Sequence, residues 1–216
     1  MFSITVIIII ITALISFAAF GSDRIMNDLI FYPPAVTNNR QYYRFITCGL
    51  IHADLGHLIF NMLSLYLFGI MVESGFNQIF GAAGRLLYVM LYVMALAVSI
   101  LPTYFRNKNN SYYRSLGASG AVSAVVFAGL MMEPNIKVGL FIIPPIIPGF
   151  MFGPLYLIVS ALLGRKGGDN INHSAHIWGA LFGVAFLIIA GAATGRYNAI
   201  EEFVNGIRLY FQTWGQ

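Results

Sequence analysis

Charge is scarce in this sequence. Of 216 residues only 9% are Asp, Glu, Lys or Arg, against 58% hydrophobic, and the mean hydropathy is +0.77. A soluble domain carries roughly 25% charged residues, so this chain has too few to cover a soluble surface. Cysteine is scarcer still: the single Cys48 excludes an internal disulfide and any cysteine-based metal site. Also missing is a basic segment ahead of the first apolar block, Ile4 to Phe20. Signal peptides carry such a segment and a shorter apolar stretch, so the block reads as a retained first transmembrane helix. There is no internal repeat and no low-complexity tract. The net charge of +4 comes from basic residues scattered in short loops, a pattern of topology and headgroup contacts and not of nucleic-acid binding.

What is present is a series of apolar blocks of about 16–20 residues, the length that crosses a hydrocarbon core of ~30 Å. They predict an all-α polytopic membrane protein, a single domain over 1–216. Its six spans fall at about 4–20, 55–72, 86–104, 117–132, 150–163 and 174–193, with a short tail over 196–216. The second span ends before Glu73. The apolar stretch 138–148 contains Pro144, Pro145 and Pro148, and proline removes a helix donor. Too short to cross, it reads as an interfacial hairpin, with one kinked helix over 138–163 as the alternative. In the tail, Ile200, Phe203, Val204, Ile207 and Phe211 recur at near-helical spacing, which suits an amphipathic helix on the membrane surface.

Polar groups inside hydrocarbon are expensive and are functional suspects by default. His57 and Asn61 open the second span at i, i+4, so both side chains share a helix face. They can donate into a common spot, or simply bond a neighbouring helix. Gly117-Ala118-Ser119-Gly120 opens the fourth span. A serine in a first helical turn is surrounded by N–H groups that lack intrahelical acceptors, suited to a developing oxyanion. The other reading is a small-residue packing ridge through Gly120, Ala124 and Ala128. His176 lies near the start of the sixth span with Gly179 and Gly183 on its face. That small-residue face permits tight docking on the fourth span, which would bring the imidazole to Ser119 as a general base. A lone histidine there can equally be structural, or bind a proton or a metal. His52 and His173 read as loop or interface residues. His57, Ser119 and His176 all lie at N-terminal ends of even-numbered spans, hence on one membrane face and at similar depth. The fourth span, about 16 residues or ~24 Å, is short enough to start below the headgroups.

With His57-x-x-x-Asn61, Gly117-Ala118-Ser119-Gly120 and Ala175-His176-x-x-Gly179-x-x-x-Gly183 in this order, the chain resembles the rhomboid family of intramembrane serine proteases. Tyr43-Arg44 is similar to the family's Trp-Arg pair, and Glu73 also matches a family position. The resemblance implies a six-transmembrane-helix rhomboid-like bundle in a bacterial inner membrane. It implies a Ser-His dyad, with Ser119 as nucleophile and His176 as general base, and an oxyanion hole from the Ser119 N–H, His57 and Asn61. It implies single-pass membrane proteins as substrates and no metal or cofactor. No aspartate is expected to complete a triad: Asp54 and Asp169 both look solvated. The resemblance also implies an active site open to the extracytoplasmic side, although more of the basic loop residues would then lie outside than the positive-inside rule favours. In some members a tyrosine four residues after the nucleophile stacks on the histidine; here that position is Ser123. A non-catalytic rhomboid-like protein that binds or escorts membrane clients is the alternative, disfavoured because nucleophile and base are both present. A small transporter is a third, but the sequence shows neither an inverted repeat nor mid-span carboxylates.

Overall fold

The computed structural model describes residues 3–140, 143–168 and 171–213. Apart from one hairpin, its regular elements are helical. They run α1 (Ile4–Phe20), α2 (Asp23–Leu29), α3 (Pro33–Asn39), α4 (Arg44–Thr47), α5 (Leu55–Phe80), α6 (Gly84–Asn107), α7 (Ser119–Met132), β1 (Lys137–Leu140), β2 (Ile143–Pro148), α8 (Gly149–Lys166), α9 (His173–Thr194) and α10 (Ala199–Thr213). Two helical stretches, Leu55–Asn107 and His173–Thr194, are long and apolar enough to cross a membrane; Ile4–Phe20 and Ser119–Met132 are shorter apolar helices.

Helix α7 is the centre of the bundle. Gly120 through Val125 and Phe127 through Leu130 are buried, as expected of a helix apolar all round. It packs on α5, α6 and α9. The tightest seam is with α9, where Gly179 and Gly183 lie directly against the backbone carbonyls of Gly120 and Ala124. A methyl group at either glycine would collide with that backbone, so the small residues set the distance between the helices. Gly120 also abuts Ser99 of α6.

Helix α1 is polar inside and apolar outside. The buried residues of α1 are Thr5, Thr12, Ser16 and Ala19, while Ile10, Leu14 and Phe17 are exposed. Leu67 on α5 and Ile158 and Leu162 on α8 are likewise exposed. A soluble protein does not present such faces to water.

Helix α5 runs eight residues past the expected end at Val72, because the charge on Glu73 is taken up by the start of α1. The carboxylate accepts hydrogen bonds from Ser3 Oγ (2.6 Å), Ile4 N (2.8 Å), Thr5 N (2.9 Å) and Thr5 Oγ1 (2.9 Å). An anion at a helix N-terminus meets free N–H donors and the positive dipole end. The helix instead stops at Gly81, whose φ of 60° favours glycine. The third and fifth apolar blocks also extend beyond their expected ends, to Asn107 and Lys166.

The proline-rich stretch is a β-hairpin, with Lys137 opposite Pro148 and Val138 opposite Ile147, so the kinked-helix alternative is excluded over its described residues. The tail forms α10, which docks on Pro134 and Asn135 through Gly206. In the first loop, Arg44 is buried and its guanidinium donates to the carbonyls of Asn27 (2.8 Å) and Ile30 (2.6 Å) and to Gln41 Oε1 (2.6 Å). That single cation stitches α2 to α4.

Candidate active site

Ser119 is the first residue of α7. Its N–H and those just after it have no carbonyl one turn earlier in the helix to bond. The docking of α9 on α7 carries His176 to it: His176 Nε2 lies 2.8 Å from Ser119 Oγ. The hydroxyl and the imidazole are therefore in the geometry of a nucleophile beside its general base.

The chain reaches Ser119 through a strained turn. Gly117 has φ 109°, and its N–H donates to the Cys48 carbonyl at 2.8 Å. His57 is packed against the Gly117 α-carbon, so tightly that a Cβ there would stand 2.6 Å from the His57 Cε1 atom. Only glycine meets both demands. Asn61 is buried one turn after His57 and its amide donates to the His57 carbonyl at 3.0 Å. Asn61, Ser119 and His176 line a cavity of about 380 Å³, walled by apolar groups of α5, α7 and α8 such as Leu67, Val126 and Phe152. A carbonyl oxygen in this cavity would find the Asn61 amide and the N-terminus of α7 close by.

Asp54 is the N-cap of α5, where Oδ1 accepts the His57 N–H at 2.8 Å; its partner is backbone. Asp169 lies outside the described residues.

Three residues around Ser119 were not legible as such. His52 lies in a loop, as expected, but is fully buried beneath the turn that precedes Ser119, its ring edge-on to His57 at 4.9 Å. Burial, reinforced by His57 and opposed by Asp54, pushes its pKa down to about 4. His173 is buried as well, with its ring 6.1 Å from that of His176. The third is Tyr156 on α8. Its ring is nearly parallel to that of His176, at 21° and 6.5 Å between centroids, and its hydroxyl is 3.4 Å from Ser123 Oγ.

The sequence model of the Rhomboid domain matches residues 39–193. The chain belongs to the rhomboid family. Among curated rhomboid relatives it is 30% identical over 164 residues to RHOMBOID-like protein 12, mitochondrial, of Arabidopsis thaliana, covering 71% of this chain and 47% of the relative. It is 30% identical over 140 residues to Presenilin-associated rhomboid-like protein A, mitochondrial, of Danio rerio, covering 63% and 34%. It is 28% identical over 176 residues to Rhomboid protease GlpG of Haemophilus influenzae, covering 80% and 81%. The chain thus spans less than half the length of the first two relatives and most of the third. As a member of the rhomboid family it is a membrane protein. Within this rhomboid chain the ring beside His176 comes from α8, and Ser123 stands four residues after Ser119.

Proposed function

We propose that this chain is an intramembrane serine endopeptidase that cleaves single-pass membrane proteins. The observation that carries the reading is the 2.8 Å approach of His176 Nε2 to Ser119 Oγ at the start of a buried helix. Ser119 Oγ attacks the scissile carbonyl and passes its proton to His176. The oxyanion is held by the Ser119 N–H and the Asn61 amide, with His57 bracing the turn from below and completing the donor set. His176 then protonates the leaving amine, and water entering the cavity hydrolyses the acyl-enzyme. The reading is a Ser-His dyad, with Asp54 engaged as a helix cap on the His57 N–H.

In the same reading six helices cross the bilayer: α1, α5, α6, α7, α8 and α9. The inverted polarity of α1 and the apolar outer faces of α5 and α8 support this. So does α7, whose 14 residues span ~21 Å, short of a ~30 Å hydrocarbon core; Ser119 then sits below the headgroups. A bacterial cell membrane is supported by the match to GlpG of Haemophilus influenzae over 81% of that protein's length. The pairing of Ser119 with His176 speaks against a purely client-binding role.

The test is reconstitution into lipid vesicles with a single-pass reporter bearing a small residue near the end of its helix. Wild-type protein is expected to release a defined fragment, and Ser119→Ala none. No cleavage by wild type, or equal cleavage by Ser119→Ala, overturns the reading.

A further inference from the structure

His52 has no part in the chemistry just described, yet it is among the most completely buried polar residues of the protein. Three contacts define it. The Ala118 N–H points at its Nε2 at 3.4 Å. Its Nδ1 is 2.9 Å from Ser16 Oγ. Ser16 Oγ is in turn 3.0 Å from the Leu50 carbonyl. Only one arrangement of protons satisfies all three. A backbone N–H can only donate, so Nε2 is bare. A neutral imidazole then carries its proton on Nδ1 and donates to Ser16 Oγ. That hydroxyl has one proton, and it goes to the Leu50 carbonyl. The chain of donors therefore runs from Ala118 through His52 and Ser16 to Leu50, linking the residue before Ser119 to the inner face of α1.

We infer that His52 is a positioning residue for the nucleophile: its bare Nε2 holds the Ala118 N–H, and so fixes the turn that presents Ser119 and its N–H groups. The inference rests on the proposed role of Ser119. Two features make the turn depend on this contact. Ala118 is the N-cap of α7 but supplies no side-chain cap of its own. Gly117, next to it, is in a conformation that few residues tolerate and is held by the Cys48 carbonyl and by His57. The His52 ring, edge-on to His57, braces both the turn and the imidazole pressed on Gly117. Ser16 enters as the group that selects the tautomer. It sits on α1, under the bundle, and does not line the cavity at Ser119.

The two hydrogen bonds of His52 can be separated. A glutamine amide oxygen reaches about as far as Nε2, and an asparagine amide reaches about as far as Nδ1. His52→Gln keeps an acceptor for the Ala118 N–H; His52→Asn keeps only the bond to Ser16. The experiment measures kcat and KM on a membrane reporter, the rate of labelling by a fluorophosphonate and the thermal midpoint, for wild type, both variants and Ser16→Ala. A misplacement of about 1 Å in a catalytic group costs roughly 10²-fold. The expected result is a fall of that order in kcat and in labelling for His52→Asn, with KM unchanged, and near wild-type rates for His52→Gln at a similar thermal midpoint. Ser16→Ala, which frees the wrong tautomer, is expected to lower kcat several-fold without touching KM. Equal kcat in the Asn and Gln variants, or losses that simply follow the thermal midpoint across all three, overturns the inference. Absence of labelling in the wild type would instead overturn the role of Ser119.

Discussion

The two halves of helix α5 handle buried polar groups in opposite ways. In the second half Glu73 is saturated: both carboxylate oxygens accept hydrogen bonds, all from the first three described residues of the chain. In the first half His57 packs against the turn before Ser119, and Asn61 lines a cavity with Ser119 and His176, which meet through a hydrogen bond. Each arrangement suits a different task. A polar group kept only for structure is enclosed and fully bonded, since an orphan in an apolar interior costs about 1–3 kcal/mol. A group kept for reaction must leave room for a partner that arrives later.

The contrast breaks most sharply under substitution. His176→Ala is expected to lower turnover by about 10⁴-fold or more, as removal of a general base does, with the thermal midpoint nearly unchanged. Glu73→Ala is expected to do the reverse. It removes the shared acceptor of Ser3, Ile4 and Thr5 and costs about 2–3 kcal/mol, in the range of hydrogen bonds to an ionised group, while kcat measured well below the melting point stays close to wild type. Paired melting curves and rate assays check both; a Glu73 variant that melts normally but has lost turnover would erase the distinction. Asn61→Ala is the next largest effect. Loss of one oxyanion donor costs about 10²–10³ in rate, and KM for the reporter should hardly move. Tyr156→Leu removes the ring beside His176. Aromatic pairs are worth about 0.5–1.5 kcal/mol, so a fall of up to about tenfold is expected, and Tyr156→Phe should restore most of it. A Phe variant as slow as Leu would place the effect in the hydroxyl and its contact with Ser123.

Much of this architecture was legible because its signals are local. The bounds of α1 follow from an almost wholly apolar run. The shared face of His57 and Asn61 follows from helical pitch, and the α7–α9 seam from glycines four residues apart. The misses are all tertiary. Glu73 looked like a helix stop because nothing near it in sequence shows that the N-terminus of α1 will absorb its charge. His52 is the loop residue it reads as, but its burial does not show in the sequence because its partners, Ser16 and Ala118, are 36 and 66 residues away. Tyr156 is one aromatic among many until α8 is laid beside His176. The hairpin at Lys137–Pro148 was readable from its prolines, which disfavour a helix, although one kinked helix stayed open as an alternative.

The smallest effect concerns pH. His52 titrates near 4 in the folded protein, against an ordinary value of 6.5. Between these values the unfolded chain binds a proton that the folded one refuses, so the stability contributed by neutral His52 is present above about 6.5 and is lost as pH falls toward 4. His57 and Asp54, the ionisable groups facing it, remain in any variant. Thermal midpoints across this window should therefore fall less steeply for His52→Gln than for wild type; identical slopes would mean that another group carries the acid sensitivity.

The central claim is that Ser119 is a nucleophile activated by His176 inside the membrane domain. The most direct measurement is fluorophosphonate labelling of the purified protein in detergent, with the modified residue located by mass spectrometry. The predicted result is stoichiometric adduct on Ser119, slowed strongly in His176→Ala and absent in Ser119→Ala. An adduct on any other residue, or labelling that survives in Ser119→Ala, would contradict it.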